Sequence, residues 1–351
     1  MKILIANDSP FAHFFVRKAI ASVMSVMGHE TVIWDINQKS VYDAFDEFEP
    51  DLFIGQTYNL NRALIQCLSE RPHVRVVMKA SDWGPLSDKI DRDKYPVLIA
   101  NKEEIENVKT LMDATGKPDV LYVHYDDHRL DETHGHWREL GLKVMSLKMA
   151  ADVFEYTGGV FNPDFACDVG FLGGYWGYKA QTIDKYLIPL TKPESGVNVR
   201  IFGNQSWGIP SYCGKLAPGH GRNFLASATV CANVSELHSQ DFGYDMIERP
   251  FKLLSNKCFV ISDHVEDLKM LFPSQIVFAE TPEQFHSEVR KWIKPEMADE
   301  RQVIIDAGYA EVMDKHTYFH RVHDIFENLG MPDQQALTME KFDLVKEKLK
   351  L

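Results

Sequence analysis

Three short segments carry residue types that could do chemistry. The first is Gly173-Gly174-Tyr175-Trp176-Gly177, with Lys179 just beyond it, directly after the apolar run Asp168–Leu172. Glycines in a strand-to-helix turn let backbone N–H groups approach a diphosphate closely, and the helix N-terminus adds favourable partial charge. The segment is neither a GxGxxG fingerprint nor a Walker loop, and plain turn geometry also accounts for paired glycines. The second runs from Asp245 to Leu254. Ile247, Phe251 and Leu254 form the buried stripe of a helix, Pro250 sits in its first turn, and Arg249 and Lys252 stand near its start. Arg as a bidentate fork and Lys as a point charge suit a nucleotide diphosphate; a solvated basic edge paired with Glu248 and Asp245 fits equally. The third is Ser81-Asp82-Trp83-Gly84-Pro85, after the strand ending at Met78. A carboxylate at a strand's carboxyl end, beside an aromatic ring that excludes water, is where a general base belongs, and acids before Gly-Pro are also turn formers.

Histidines cluster at His124/His128 and at His134/His136, with Asp126 and Asp127 nearby. Their spacing is poor for one helix face, and His134-Gly135-His136 reads as a polar loop, so no metal site is expected. No GxSxG elbow is present, and Cys67, Cys167, Cys213, Cys231 and Cys258 show neither CxxC spacing nor an evident His partner.

The elements that would position these groups alternate strand and helix. Lys2–Ala6 is an apolar run that ends in the turn Asn7-Asp8-Ser9-Pro10, and the following helix carries Val16, Ile20, Val23, Met24 and Met27 on one stripe. Further strands read at 31–36, 51–55, 74–78, 97–100 and 119–125. The pattern pauses around 142–159 and then starts over, with strands at 168–172, 197–202, 229–234, 258–262 and 275–278. The tail from Tyr318 is helical, with Phe319, Val322 and Phe326 on one stripe. This specifies two α/β domains, each opening with strand, tight turn and helix. Ligands bind at the carboxyl ends of such strands.

Taken together these segments resemble the CgeB-type (spore maturation protein-like) glycosyltransferases. The likeness is clearest from about Val160 onward. It rests on Asp168–Gly174, on Val199–Gly203, on Tyr212–Leu216, on Arg249–Asp263 and on His316-Thr317-Tyr318 followed by Arg321. It implies a GT-B fold: two Rossmann-like domains facing across a cleft, with C-terminal helices packing back on the first domain. The expected boundaries are 1–155 for the acceptor-side domain, 156–317 for the nucleotide-sugar domain and 318–351 for the helices. The resemblance makes Arg249 the cation on the diphosphate. It shows two departures, Lys252 where the family has a ribose-binding Glu, and Lys257 where it prefers Gly. A fainter likeness to phage DNA β-glucosyltransferases covers Val76–Asp82, Asn101–Glu104, Asp168–Gly174 and Val199–Asn204, and makes Asp82 the base that deprotonates the acceptor, with inversion.

The expected activity is transfer of a sugar from a nucleotide-diphosphate sugar, UDP-linked, to a hydroxyl acceptor, with no permanently bound cofactor and no catalytic metal. Donor-binding candidates are Gly173, Gly174, Tyr175, Lys179, Arg249 and Lys252. Asp82 is the catalytic candidate, and Asp8, Ser9 and Trp83 are placed on the acceptor side. The acceptor stays open between a glycan, a protein and a modified DNA base. A DNA-modifying enzyme acting on hydroxymethylated bases and a non-catalytic nucleotide-sugar-binding protein are the alternatives. The net charge of −13 over 351 residues argues against broad contact with nucleic acid or anionic lipid. Scattered cysteines, no signal peptide and no apolar stretch of membrane-span length point to the cytoplasm, the host's if the source is viral.

Overall fold

A computed structural model describes residues 1–9, 12–81, 90–95 and 102–350. The chain divides into two compact units, one of Met1–Lys148 with Tyr318–Lys348, the other of Met149–Thr317. In the first unit β1 (Lys2–Asn7), α1 (Ala12–Val26), β2 (Glu30–Asp35), α2 (Val41–Phe48), β3 (Leu52–Gln56), α3 (Arg62–Ser69) and β4 (Arg75–Lys79) alternate. After these come α4 (Lys102–Thr115), β5 (Val120–Val123), α5 (Leu130–Glu139) and β6 (Val144–Ser146). The six strands are parallel, in the order β2-β1-β3-β4-β5-β6. Every residue of β3 is buried, as a strand covered by helices on both faces requires. One face is packed by Trp34, Phe45 and Phe53, whose rings meet at 5.3–6.4 Å.

The second unit repeats the scheme with β7 (Cys167–Leu172), α6 (Gly177–Tyr186), β8 (Val199–Phe202), α7 (His220–Ala226), β9 (Ala228–Asn233), α8 (Leu237–Phe242) and α9 (Arg249–Ser255). It continues through β10 (Val260–Asp263), α10 (Glu266–Leu271), β11 (Val277–Ala279), α11 (Pro282–Trp292) and α12 (Ala298–Lys315). Its five parallel strands run β11-β10-β9-β7-β8. Two apolar clusters cover this sheet, one built around Phe171, Ile201 and Phe285, the other around Phe224, Phe251 and Phe272.

The remaining helices, α13 (Tyr318–Asn328) and α14 (Pro332–Leu349), close the chain. Phe319, Val322 and Phe326 are fully buried, so the stripe read from sequence is the packed one. Within the first unit the Arg321 Nε donates to the Lys148 carbonyl at 2.7 Å, and Arg75 donates to that of Leu329 at 3.1 Å. Within the second, the Ala151 amide donates to the His316 carbonyl at 2.8 Å. The chain passes from the second unit back to the first between Thr317 and Tyr318. Among the described residues no helix is long and apolar enough to cross a membrane.

Two local expectations are corrected. The pause expected from 142 contains β6, a strand of three residues too short to show a period. His134-Gly135-His136 is not a loop but lies inside α5, where buried Trp137, Leu130 and His134 outweigh the glycine. The strand expected at 97–100 lies outside the described residues.

The departure at position 257 has a visible cost. Lys257 follows the C-cap of α9 with φ of +55°, a left-handed conformation that glycine adopts freely. Relief of about 1 kcal/mol of backbone strain in Lys257→Gly exceeds the ~0.5 kcal/mol carried by an exposed cation–π contact, here the Lys257 ammonium 4.5 Å from the Tyr309 ring. The variant is expected to melt slightly higher than the parent in calorimetry; a lower melting temperature would show the ring contact to dominate.

Candidate functional site

The sheet of the second unit changes direction between β7 and β9, because β8 is added on one side of β7 and β9 to β11 on the other. At such a point the loops leaving the carboxyl ends diverge and open a crevice. Gly173 and Gly174 leave β7 there. The Gly173 amide is already taken by the Phe202 carbonyl at 2.9 Å, and its own carbonyl accepts from the Trp207 indole at 3.1 Å. The first backbone donor open to a ligand is therefore the Gly174 amide, which has no partner among the described residues. A Cβ on Gly203 would stand 2.2 Å from the Gly173 carbonyl oxygen, so the end of β8 must be glycine for this turn to form.

Arg249, at the start of α9, spans the split. Its Nε donates to the Leu172 carbonyl at 3.3 Å, on the β7 side. Its Nη1 donates to Asn233 Oδ1 at 3.1 Å and to the Val234 carbonyl at 3.2 Å, on the β9 side. The guanidinium lies over the Phe171 ring at 4.5 Å. Nη2 has no hydrogen-bond partner among the described residues and lies 3.0 Å from where a Cβ on Gly173 would be, so glycine there leaves it room. Lys179, one turn into α6, is 5% exposed, and its ammonium lies 5.0 Å from the Trp176 ring and 5.8 Å from that of Phe171. Among the described residues it makes no hydrogen bond or ion pair. Burial, and then the neighbouring Arg249, push its pKa down to about 7. Burial also lowers Arg249, to about 10. Two desolvated cations share one crevice, and nothing among the described residues neutralises Lys179 by contact.

Lys252 is engaged differently. Its ammonium pairs with Glu248 at 3.1 Å and sits 4.6 Å over the Tyr156 ring. Burial would lower its pKa, but the Glu248 carboxylate outweighs it and holds the lysine charged. Of the two sequence readings, the pairing with Glu248 is observed, and burial by Tyr156 replaces the solvated edge. Tyr175 gives its hydroxyl to Asp184 at 3.0 Å and packs against Trp207 at 5.2 Å, so its ring supports the turn.

Of the acids of this crevice, the sequence named Glu248 and Asp245 only as partners of the two cations and Asp263 only within the resemblance segment, and it did not single out Glu236. Asp263, at the end of β10, accepts from the Ser235 amide at 2.7 Å and hydroxyl at 3.1 Å, from Gln240 at 2.6 Å and from Ser262 at 3.2 Å. Burial still raises its pKa. Asp245 accepts from His238 Nε2 at 2.6 Å; with that proton placed, His238 Nδ1 accepts from the Tyr178 hydroxyl at 3.0 Å. Burial would lower the His238 pKa, and Asp245 overrides it and raises it. Glu236 follows β9, with burial raising its pKa against the pull of Lys179. Asp263 ends β10, while Glu236, His238 and Asp245 lie within ten residues of one another between β9 and α9, and no motif marks them.

In the first unit, Asp8 leaves β1 at that sheet's own change of direction, between β1 and β3. Its carboxylate pairs with Arg17 at 2.8 Å and accepts from Asn59 at 3.3 Å, and the arginine overrides burial to lower its pKa. Ser9 follows it in the turn. Asp82 and Trp83 lie outside the described residues. Just before them, Glu104 of α4 accepts from the Ser81 amide at 3.0 Å and hydroxyl at 2.8 Å, and from Thr57. The histidines do not converge: His124 bonds the Leu147 carbonyl, His128 bonds Asp126, and His134 is buried against Thr133 with its pKa pushed down to about 3. Among the described residues one group, His323, Asp324 and Glu327, brings possible metal-ligand atoms within 4.8 Å of one another, on α13.

Residues 185–327 match the family model described as glycosyl transferase-like. Comparison with curated protein sequences finds no match. Among solved structures, the chain is similar to an alpha-glucosyltransferase in complex with UDP and a 13-mer DNA containing a HMU base, at 11% identity over 94% of this chain and 99% of that one, TM-score 0.63. It is also similar to sucrose-phosphate synthase from Thermosynechococcus elongatus, at 8% identity over 99% of both chains, TM-score 0.57. A third is the DNA-modifying enzyme beta-glucosyltransferase, at 12% identity over the whole of both chains, TM-score 0.50. The fold is GT-B. The matched segment is a glycosyltransferase-like domain, and it contains Arg249, Lys252 and the acids of the crevice.

Because the folded pKa of Lys179 lies below the unfolded value of 10.5, the unfolded chain binds the extra proton between about 7 and 10.5, and this group adds stability as pH rises through that window. Lys179→Met is therefore expected to melt several degrees above the parent at pH 7, with the advantage shrinking toward pH 10. A lower melting temperature for the variant at pH 7 would contradict the unpaired burial.

Proposed function

We propose that this protein transfers a sugar from a UDP-linked donor to a hydroxyl acceptor, with the diphosphate held at the β7–β9 split. The observation that carries the reading is the pair of desolvated cations there, of which, among the described residues, the Lys179 ammonium is without a hydrogen bond or ion pair and the Arg249 Nη2 is unbonded, beside the open Gly174 amide. A diphosphate supplies the negative charge this arrangement lacks, and α6 adds its N-terminal dipole. In the transition state the leaving diphosphate gains charge, and preorganised cations stabilise it without reorganising. Two such cations do the work that a divalent ion does elsewhere, so catalysis is metal-independent. The CgeB-type pattern of the second half supports the same placement. Lys252, held by Glu248, adds positive field without contacting the ligand.

Asp82 is the proposed base toward the acceptor hydroxyl, which makes the reaction inverting, with Asp8, Ser9 and Trp83 on the acceptor side. Its support is the placement after β4, where Glu104 fixes the preceding residue, Ser81, by two hydrogen bonds. Three of the similar structures are of a DNA-modifying enzyme or of a complex with DNA. The net charge of −13 here favours a smaller or neutral acceptor. Five free cysteines suit a reducing cytoplasm.

The test is thermal shift and donor hydrolysis with UDP and UDP-sugars. A ligand selective for the folded state raises the melting temperature; UDP is expected to do so for the parent and not for Arg249→Ala. UDP release is expected to survive EDTA, and Asp82→Asn to lower kcat by about 10²–10⁴ with UDP affinity unchanged. Equal UDP binding by Arg249→Ala overturns the site. A second expectation follows from Lys179: above pH 7 a bound diphosphate restores its proton, so UDP affinity falls as pH rises, by up to about tenfold per unit. Titrations in buffers of different ionisation enthalpy should show proton uptake at pH 8; none would mean that Lys179 does not meet the phosphates.

A further inference from the structure

The acids of the crevice are satisfied by contact, with one exception. Asp245 is held by His238, Glu248 by Lys252, and Asp263 by Ser235, Gln240 and Ser262. Glu236 stands where β9 passes into α8, and its side chain is 18% exposed. It makes no capping bond to the helix that follows. Its nearest basic neighbour, His238 Nδ1, is 3.9 Å away and is already occupied by the Tyr178 hydroxyl. Among the described residues no donor reaches its carboxylate. It nevertheless lies in the fields of Lys179 and Arg249, the groups assigned to the diphosphate.

A mostly buried carboxylate without a donor demands a hydrogen bond from whatever enters. Phosphate oxygens cannot supply one; they accept, and they repel a second anion. Neutral hydroxyls can, and the part of a nucleotide sugar next to its diphosphate is a ring of hydroxyls. We propose that Glu236 accepts a hydrogen bond from a hydroxyl of the donor sugar, so that it distinguishes the sugar-bearing donor from the bare nucleoside diphosphate. The relay from Asp245 through His238 to Tyr178 serves this role, because it takes up the histidine nitrogen nearest Glu236 and leaves the carboxylate to the ligand.

This inference rests on the glycosyltransferase reading and is tested by calorimetric titration of the parent, Glu236→Gln and Glu236→Ala. The probes are UDP, UDP-glucose, UDP-galactose and UDP-N-acetylglucosamine. For the sugar nucleotide that the parent binds best, Glu236→Ala should lose about ten- to a hundred-fold in affinity, and Glu236→Gln less, because an amide oxygen still accepts. UDP itself should bind both variants as tightly as the parent or more tightly, since a negative charge has been removed; retained UDP binding also shows that the fold is intact. Equal losses for UDP and UDP-sugar, or no loss for any sugar, overturn the role of Glu236 while leaving the diphosphate site standing. If the parent binds none of the four, the glycosyltransferase reading fails and this inference with it.

Discussion

One guanidinium holds together the point where the second sheet divides. Strands β7 and β9 run parallel, but the connections leaving their carboxyl ends diverge to opposite sides of the sheet, and the carbonyls there would face a void without a donor between them. Arg249 fills that place, bonded to Leu172 on one side and to Asn233 and Val234 on the other. Other features of the crevice follow from it. Gly173 must lack a side chain because the guanidinium and the Phe171 ring crowd it at 3.0 and 2.8 Å. Lys179 is driven toward neutrality because burial and that fixed charge act on it together.

Such an arrangement is costly to an empty protein. Buried cations are ordinarily paired, and an unpaired one weakens the fold until something neutralises it. The acids present lower the cost without cancelling it, since all but one are committed to other partners. Perturbed cations of this kind, at the carboxyl ends of a parallel sheet, are where an anionic ligand would be stabilised most. Local instability here is compensated by two continuous apolar layers on the same sheet.

The fold was legible because parallel strands buried on both faces appear as apolar runs, and ten of the eleven described strands overlap such runs. β6 escaped because three residues cannot display a pattern, and α5 because Gly135 between two histidines resembles a loop while its burial is decided by distant packing. The proximity of Gly173, Gly174 and Lys179, proposed here for the donor, was readable because they lie within one strand–turn–helix, where spacing alone fixes proximity. Arg249 was readable through its resemblance segment. Glu236, His238 and Asp245 lie in one short segment after β9 that carries no motif, and the β9–β10 pairing brings Asp263 beside it. Lys252 shows the limit of residue type as a guide: a lysine four residues from a glutamate can serve a phosphate or that glutamate, and the structure shows the second. The Asp82 proposal rests on sequence and on the anchoring of Ser81 next to it.

The central claim is that the divided sheet end is built around a diphosphate. Crystals grown with UDP test it most directly. The account predicts phosphate oxygens within hydrogen-bond distance of the Lys179 ammonium, the Arg249 Nη2 and the Gly174 amide, with Lys252 still on Glu248. A diphosphate bound elsewhere, with Lys179 and Arg249 untouched, would contradict it.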